Sequence, residues 1–387
     1  MQTVALGTLV VLHTHNVFVT ALTMAAAFVP LGIFAPLGGV LADRMDRRRL
    51  LITTTIGEAL SALGLTLMVG LHHDPVWALM VVVFCGSSIG ALGFPAYQSI
   101  IPEIVAKEDL LAAVSLSSAQ WNMGRVVGPA IAGIVLVTWS AAGAFAVNAI
   151  SFIAVVVALL FVKIPVRAAT QDAKSVRERF AEGIASARKH RACRNAIILI
   201  SVVALIGSPF IGLVAAEAVE GLHRKAGGPA VLTTAQGIGA VIGALILAPL
   251  AHRIGHKRLL PLALGAFCVA LAAYGAAPTL SLAAIAIMAV GVTYIGILSG
   301  LNTVVQIHAP QAERGRILSI YMTCLGVIYP IGLVIEGAIG QVIGVRLVMV
   351  LAAALLALVL IGMRVLSPRL FHDLAGQEGN SKDQTAA

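Results

Sequence analysis

Long apolar runs at 17–41, 50–71, 76–101, 112–138, 142–162, 195–219, 230–250, 259–277, 280–306, 317–341 and 347–365 are separated by short polar breaks. A helix needs about 20 apolar residues, at 1.5 Å rise each, to cross roughly 30 Å of hydrocarbon. The pattern therefore predicts eleven membrane-spanning helices, preceded by a shorter apolar stub from Gln2 to Leu12. Segments such as Ala149 to Val162 are apolar on every side. Barrel strands would alternate apolar and polar positions, so an outer-membrane barrel is excluded.

Composition agrees with this reading. Of 387 residues 59% are hydrophobic and 11% charged, against about 25% charged in soluble domains. The net charge of +9 does not point to nucleic acid, because the basic residues lie in the breaks between apolar runs, where they act as topology signals. One face collects 22 of the 26 Lys and Arg: Arg44 and Arg47 to Arg49, Lys107, nine in the stretch Lys163 to Arg194, Arg253, Lys257, Arg258, Arg314, Arg316, Arg364, Arg369 and Lys382. The positive-inside rule makes that face, including the C-terminus, the cytoplasmic side of a multi-pass membrane protein. Trp77 and Trp139 fall in turns of the opposite face, where interfacial aromatics are expected. The four cysteines are scattered singly without metal-ligand spacing, and neither a metal nor a cofactor is expected.

The chain also repeats. Leu41-Ala-Asp-Arg-Met-Asp-Arg-Arg-Arg-Leu-Leu51 aligns with Leu250-Ala-His-Arg-Ile-Gly-His-Lys-Arg-Leu-Leu260, and Ile101-Pro-Glu with Ala309-Pro-Gln. The polar stretch 163–194 divides the two copies. The predicted organisation is an N-terminal bundle over 1–162, a basic linker over 163–194, a C-terminal bundle over 195–366 and a polar tail over 367–387. Parallel duplication of a six-helix unit is a secondary-transporter architecture, with the substrate site between the halves near the midplane.

Gly38-Gly-Val-Leu-Ala-Asp-Arg-Met-Asp-Arg-Arg-Arg49 resembles the loop signature of the major facilitator superfamily, with its weaker copy where that family has one. Gly124-x-x-x-Gly128-Pro129-x-x-x-Gly133 is similar to the fifth-helix motif of antiporters. Phe94-Pro-Ala, Ile101-Pro-Glu and Arg314-Gly-Arg resemble the bacterial branch that includes enterobactin and macrolide exporters. The resemblance implies an all-α membrane fold of two pseudo-symmetric six-helix bundles. It further implies export of a hydrophobic or amphipathic small molecule, drug- or siderophore-like, by proton antiport with alternating access. The partners expected are that substrate, protons and the lipid bilayer, for a monomeric carrier. An importer or uncoupled facilitator is the alternative within transporters, and a transport-inactive membrane receptor the alternative outside them. An enzyme would need a convergent nucleophile or metal set within the spans, and none is legible.

Candidate residues form three groups. In the loop, Gly39 offers close helix contact, while Asp43 can pair with Arg44 or Arg47, beside Arg48, to latch the bundles together in one state. Asp46 departs from the family's usual glycine. In the fifth helix Gly124, Gly128 and Gly133 clear one side and Pro129 removes a backbone donor, permitting adjustable packing. Arg125 is predicted near the midplane, where a charge costs about 2.5–3.5 kcal/mol on insertion scales. Trp121 lies one turn away, and Asn122, Gln98, Tyr294 and Asn302 complete a sparse polar cavity lining that suits an amphipathic molecule.

Carboxyl groups in low dielectric favour their neutral form and can carry protons. Glu58 is predicted to be the best-buried acid, with Glu217, Glu220 and Glu336 solvated near the outer ends of their spans. The family's fourth-helix arginine has no counterpart in Val83-Phe-Cys-Gly-Ser-Ser-Ile-Gly90. The repeat offset of 208 places the counterpart of the seventh helix's start ahead of Met1. The first helix is thus expected to be truncated, lacking the early acid that the resemblance implies as a partner for Arg125. The native start is expected upstream of Met1, or the 387-residue form to be inactive.

Overall fold

A computed structural model describes residues 1–162, 176–225, 227–311 and 313–366, among which every regular element is helical. The first half comprises α1 (Gln2–Thr14), α2 (Val17–Arg44), α3 (Arg47–Gly70), α4 (Val76–Ile104), α5 (Leu110–Thr138) and α6 (Ala141–Phe161). The amphipathic α7 (Val176–Lys189) follows. The second half comprises α8 (Arg191–Val202), α9 (Phe210–Ala216), α10 (Gly227–Ile254), α11 (His256–Ala276), α12 (Leu280–His308), α13 (Arg314–Ile343) and α14 (Val345–Leu366). Among the described residues ten spans are long and apolar enough to cross a membrane, α8 and α9 together forming one of them, Arg191–Gly221. The 29-residue α5 has the length for an eleventh. At 13 residues, α1 rises only about 20 Å.

A helix in lipid must satisfy its backbone internally, so the first turns need side-chain caps. Asn16 accepts from the Val19 amide at 2.9 Å, Asp46 from Arg49 at 2.9 Å and Ser140 from Gly143 at 3.1 Å. The duplication reappears as packing. In the first half α2 packs on α4, and α3 on both α4 and α6; in the second α10 packs on α12, and α11 on both α12 and α14.

The sequence predicts one continuous span over 195–219, but the structure breaks it twice with π turns, Val203–Gly207 and Glu217–Gly221. The amides of Ser208 and Leu222 reach back five residues, to Val203 and Glu217, at 2.8 and 2.9 Å. Pro209 explains the first turn. It has no N–H for the Leu205 carbonyl four residues earlier, and that carbonyl faces Gly332 of α13, where a methyl group would lie 2.0 Å from the oxygen.

Part of the predicted linker is also ordered helix. α7 lies along the start of α13, with Gly183 against Ile320 and the Arg316 carbonyl. Arg316 Nη1 donates to Glu182 Oε2 at 2.9 Å, and His190 Nε2 stands 3.3 Å from Glu313 Oε2. A hydrogen bond from Ser186, assisted by His190 and Lys189, holds the Glu313 carboxyl below the usual carboxylate range. Residues 163–175 and 367–387 lie outside the described residues.

Candidate functional site

The two halves meet along two seams, α2 on α13 and α5 on α10. Each seam is closed at the end away from the basic loops by the same residue pair. A methyl group on Gly133 would lie 2.3 Å from Ala230 Cβ, and one on Gly337 would lie 2.2 Å from Ala21 Cβ. Farther along α2, Gly32 and Gly326 bring the backbones together, since a methyl group on either would stand 2.7 Å from a backbone carbon of the other. Small residues at such crossings allow an approach that side chains would block.

Polar contacts complete this far end. Gln341 Oε1 accepts from the Val17 amide at 2.6 Å, joining the end of α13 to the start of α2. His15 Nδ1 lies 2.9 Å from Glu220 Oε1 across the halves. Of the fifth-helix motif, Gly133 makes the interhelical contact, Pro129 is buried and Gly124 faces open space.

The basic end is built differently. Gly38, rather than Gly39, makes the close approach: a methyl group there would lie 2.5 Å from the Leu92 carbonyl oxygen of α4, whereas Gly39 meets nothing within 4 Å. Asp46 starts α3 as its cap, which accounts for an acid where the repeat has Gly255, the residue that starts α11 at φ 77°. Arg48 donates to the carbonyls of Leu159 and Leu160 at 2.9 and 2.5 Å, tying this loop to the last turn of α6. Arg47 Nε reaches the Ala42 carbonyl at 3.4 Å, and Arg44 is exposed. The Asp43 side chain lies outside the described residues.

The same is true of the side chains of Trp121, Asn122 and Arg125, whose backbone belongs to α5. Gln98 on α4 is exposed. Asn302 accepts a hydrogen bond from Gln306 one turn on. Tyr294, expected on the cavity wall, instead lies 6% exposed in the aromatic core of the second half. Its hydroxyl is 3.0 Å from Ser208 Oγ, and its ring packs edge-on against Phe210 and tilted against Phe267.

Glu58 occupies a notch made by Gly90, where a methyl group would lie 2.4 Å from Oε1. It borders a cavity of about 260 Å³ within the first half, lined also by Gln2, Phe28, Ser61, Ser87 and Asn148. This cavity lies among helices of one half, not between halves, and Asn148 Nδ2 donates to Gln2 Oε1 across it at 2.9 Å.

Among the described residues the best-buried acids are not Glu58 but Glu217 and Glu336, at 0% and 7% exposed. This corrects the expectation that both are solvated near span ends. Counting residues from a span's end cannot see the π turn that rotates Glu217 inward, nor the helices that cover α13. Neither Glu217 oxygen has a hydrogen-bond partner among the described residues, although Arg346 Nε stands 3.9 Å from Oε1. Arg346 itself donates to the carbonyls of Gly275, Ala276 and Ala277, closing the end of α11.

A model of the family described as transmembrane secretion effector matches residues 1–381. Macrolide efflux protein A of Streptococcus pyogenes is 24% identical over 86% of this chain and 83% of its own length. The enterobactin exporter EntS of Citrobacter koseri is 24% identical over 81% of this chain and 75% of its own. Among solved structures, the bacterial homologue of the human lysosomal transporter Spinster, inward-facing and occupied, superposes with a TM-score of 0.74 at 14% identity, covering 98% of this chain and 95% of that one. With its duplicated helical halves and full-length family match, the chain belongs to the transmembrane secretion effectors of the major facilitator superfamily, and is a multi-pass transporter rather than an enzyme.

Proposed function

We propose that this transporter exports a hydrophobic or amphipathic small molecule by alternating access, in exchange for protons. The basic end faces the bacterial cytoplasm and the far end faces outside, on the positive-inside argument. The observation that carries the reading is the closure of the far end by the two glycine–alanine contacts, which supports a carrier held shut toward the outside. Macrolide and enterobactin exporters among the relatives support efflux over uptake. The sparse polar residues proposed for the cavity, Gln98, Asn122, Asn302 and Arg125 with Trp121, suit an amphipathic organic molecule better than a sugar, which needs denser hydrogen bonding.

Alternating access then rocks the halves about the α2–α13 and α5–α10 seams. Arg125 serves as the midplane cation, and the Asp43 loop as a cytoplasmic latch. Uptake and efflux of macrolides and enterobactin are measured in cells with and without the protein, each with and without a protonophore. Efflux abolished by the protonophore is expected; efflux indifferent to it removes the proton coupling, and protein-dependent uptake removes the direction.

A further inference from the structure

We propose that Glu336 is the proton-sensing carboxyl of the outer gate: the far ends of the two halves close when it takes a proton from outside water and part when it returns it there. The inference rests on the orientation proposed above. On α13, Glu336 lies on the stripe formed by Gly332, Glu336 and Gly340, immediately before Gly337. Gly332 faces the Leu205 carbonyl, Gly340 faces Val17 of α2 and Val345 of α14, and Gly337 faces Ala21 of α2. Glu336 is thus shut in where α2 of one half meets α9, α13 and α14 of the other, 7% exposed, with Oε2 lacking any hydrogen-bond partner among the described residues.

Among the described residues, the elements packed around it bring no cation to it. The outer half of α2, from Val17 to Pro30, carries no titratable residue, and neither does α9. The π turn after α9 offers Glu217 and Glu220, the first facing Arg346 and the second His15. The charge that α14 brings to this level is Arg346, held on three carbonyls and Glu217. Two turns below, the buried Tyr329 hydroxyl lacks a partner among the described residues and its ring packs edge-on against Phe28 of α2 at 5.2 Å. An ionised carboxylate held there with Oε2 buried and unpartnered is costly, whereas the neutral acid is accommodated. Closure therefore selects the protonated form. The step is one O–H bond formed on the carboxylate, with one negative charge removed; opening admits water, and the proton leaves to it.

The test uses the 387-residue chain with its four cysteines replaced, spin labels at His72→Cys and Arg224→Cys, one on each half at the far end, and reconstitution in nanodiscs. Distance distributions are recorded from pH 5 to pH 9. The closed, short-distance population is expected to dominate at acid pH and to give way by up to about tenfold per pH unit, the limit for one proton. Glu336→Gln is expected to stay closed across the range, Glu336→Asp to restore the response, and Glu217→Gln to keep it. A wild-type distribution that ignores pH overturns the proposal whatever the variants do, and so does a Glu336→Gln protein that responds as the wild type does. A pH-dependent gate in a protein that moves no protons with substrate would sink the antiport reading and leave the gate standing.

Discussion

His15 and His223, 208 residues apart, hold equivalent places in the two halves, and both adopt the left-handed backbone conformation, at φ 47° and 52°. His15 ends α1 and reaches Glu220 across the halves; His223 comes just after the second π turn and is exposed. A side chain in this region is strained where glycine is not. His223→Gly is therefore expected to raise thermal stability in detergent, by up to about 1 kcal/mol. His15→Gly gains the same backbone relief but loses an exposed pair of about 0–1 kcal/mol, so its net shift should be smaller. Equal shifts in the two melting curves would show that the pair contributes nothing.

Gly32→Ala and Gly326→Ala should each force the two halves apart at the α2–α13 crossing, where no flexible side chain can move aside. Overpacking of this kind costs about 1–3 kcal/mol. The expected outcome is at least a tenfold loss of transport at near-normal membrane insertion; unchanged transport would mean that the crossing loosens during the cycle.

Replacement of the midplane cation tests its proposed role directly. Arg125→Ala should abolish transport with insertion intact, and Arg125→Lys should restore it only partly, because an ammonium is a point charge where a guanidinium is a two-pronged donor. Full transport by the alanine variant in a proteoliposome assay removes Arg125 from the mechanism.

The docking of α7 on α13 should weaken in acid. Glu313 is held below the usual carboxylate range, so its contribution is present above that range and is lost as pH falls through it. Limited proteolysis within 176–189 should accelerate as the pH is lowered from 7 to 4, and Glu313→Gln should show the faster rate already at pH 7. A pH-independent rate for the wild type contradicts this account.

Topology is open to a labelling experiment. In a cysteine-free background, Arg47→Cys and Arg179→Cys should resist an impermeant thiol reagent applied to intact cells and react after permeabilisation. Labelling from outside at either position reverses the orientation.

The spans and their duplication were legible because lipid imposes a strong rule, long apolar runs with charge confined to the breaks. The glycine–alanine seam was half legible: Gly133 stood out in its motif, but its partner Ala230 is one alanine among many. Gly38 and Gly39 are indistinguishable as letters, and only the phase of α2 against α4 decides which one faces Leu92. The buried acids were misplaced for a related reason. A π turn rotates the rest of its helix by a fraction of a turn, and a proline that leaves one carbonyl free is its only sign in the sequence.

The backbone contact between Gly32 and Gly326 has a mechanical consequence. It divides α2 into two arms, about 22 Å from Val17 to Gly32 and about 18 Å from Gly32 to Arg44, at 1.5 Å per residue. With a glycine on each rod at the contact, the crossing would serve the proposed alternating access as a fulcrum, about which the halves tilt without first separating. Arms so nearly equal give no leverage to either side, so a parting of a given width at one end is matched by a closing of similar width at the other. In the alternating access proposed above, such a balance beam keeps one end shut while the other is open, so the proposed latch and outer gate need only bias a tilt that the crossing already permits.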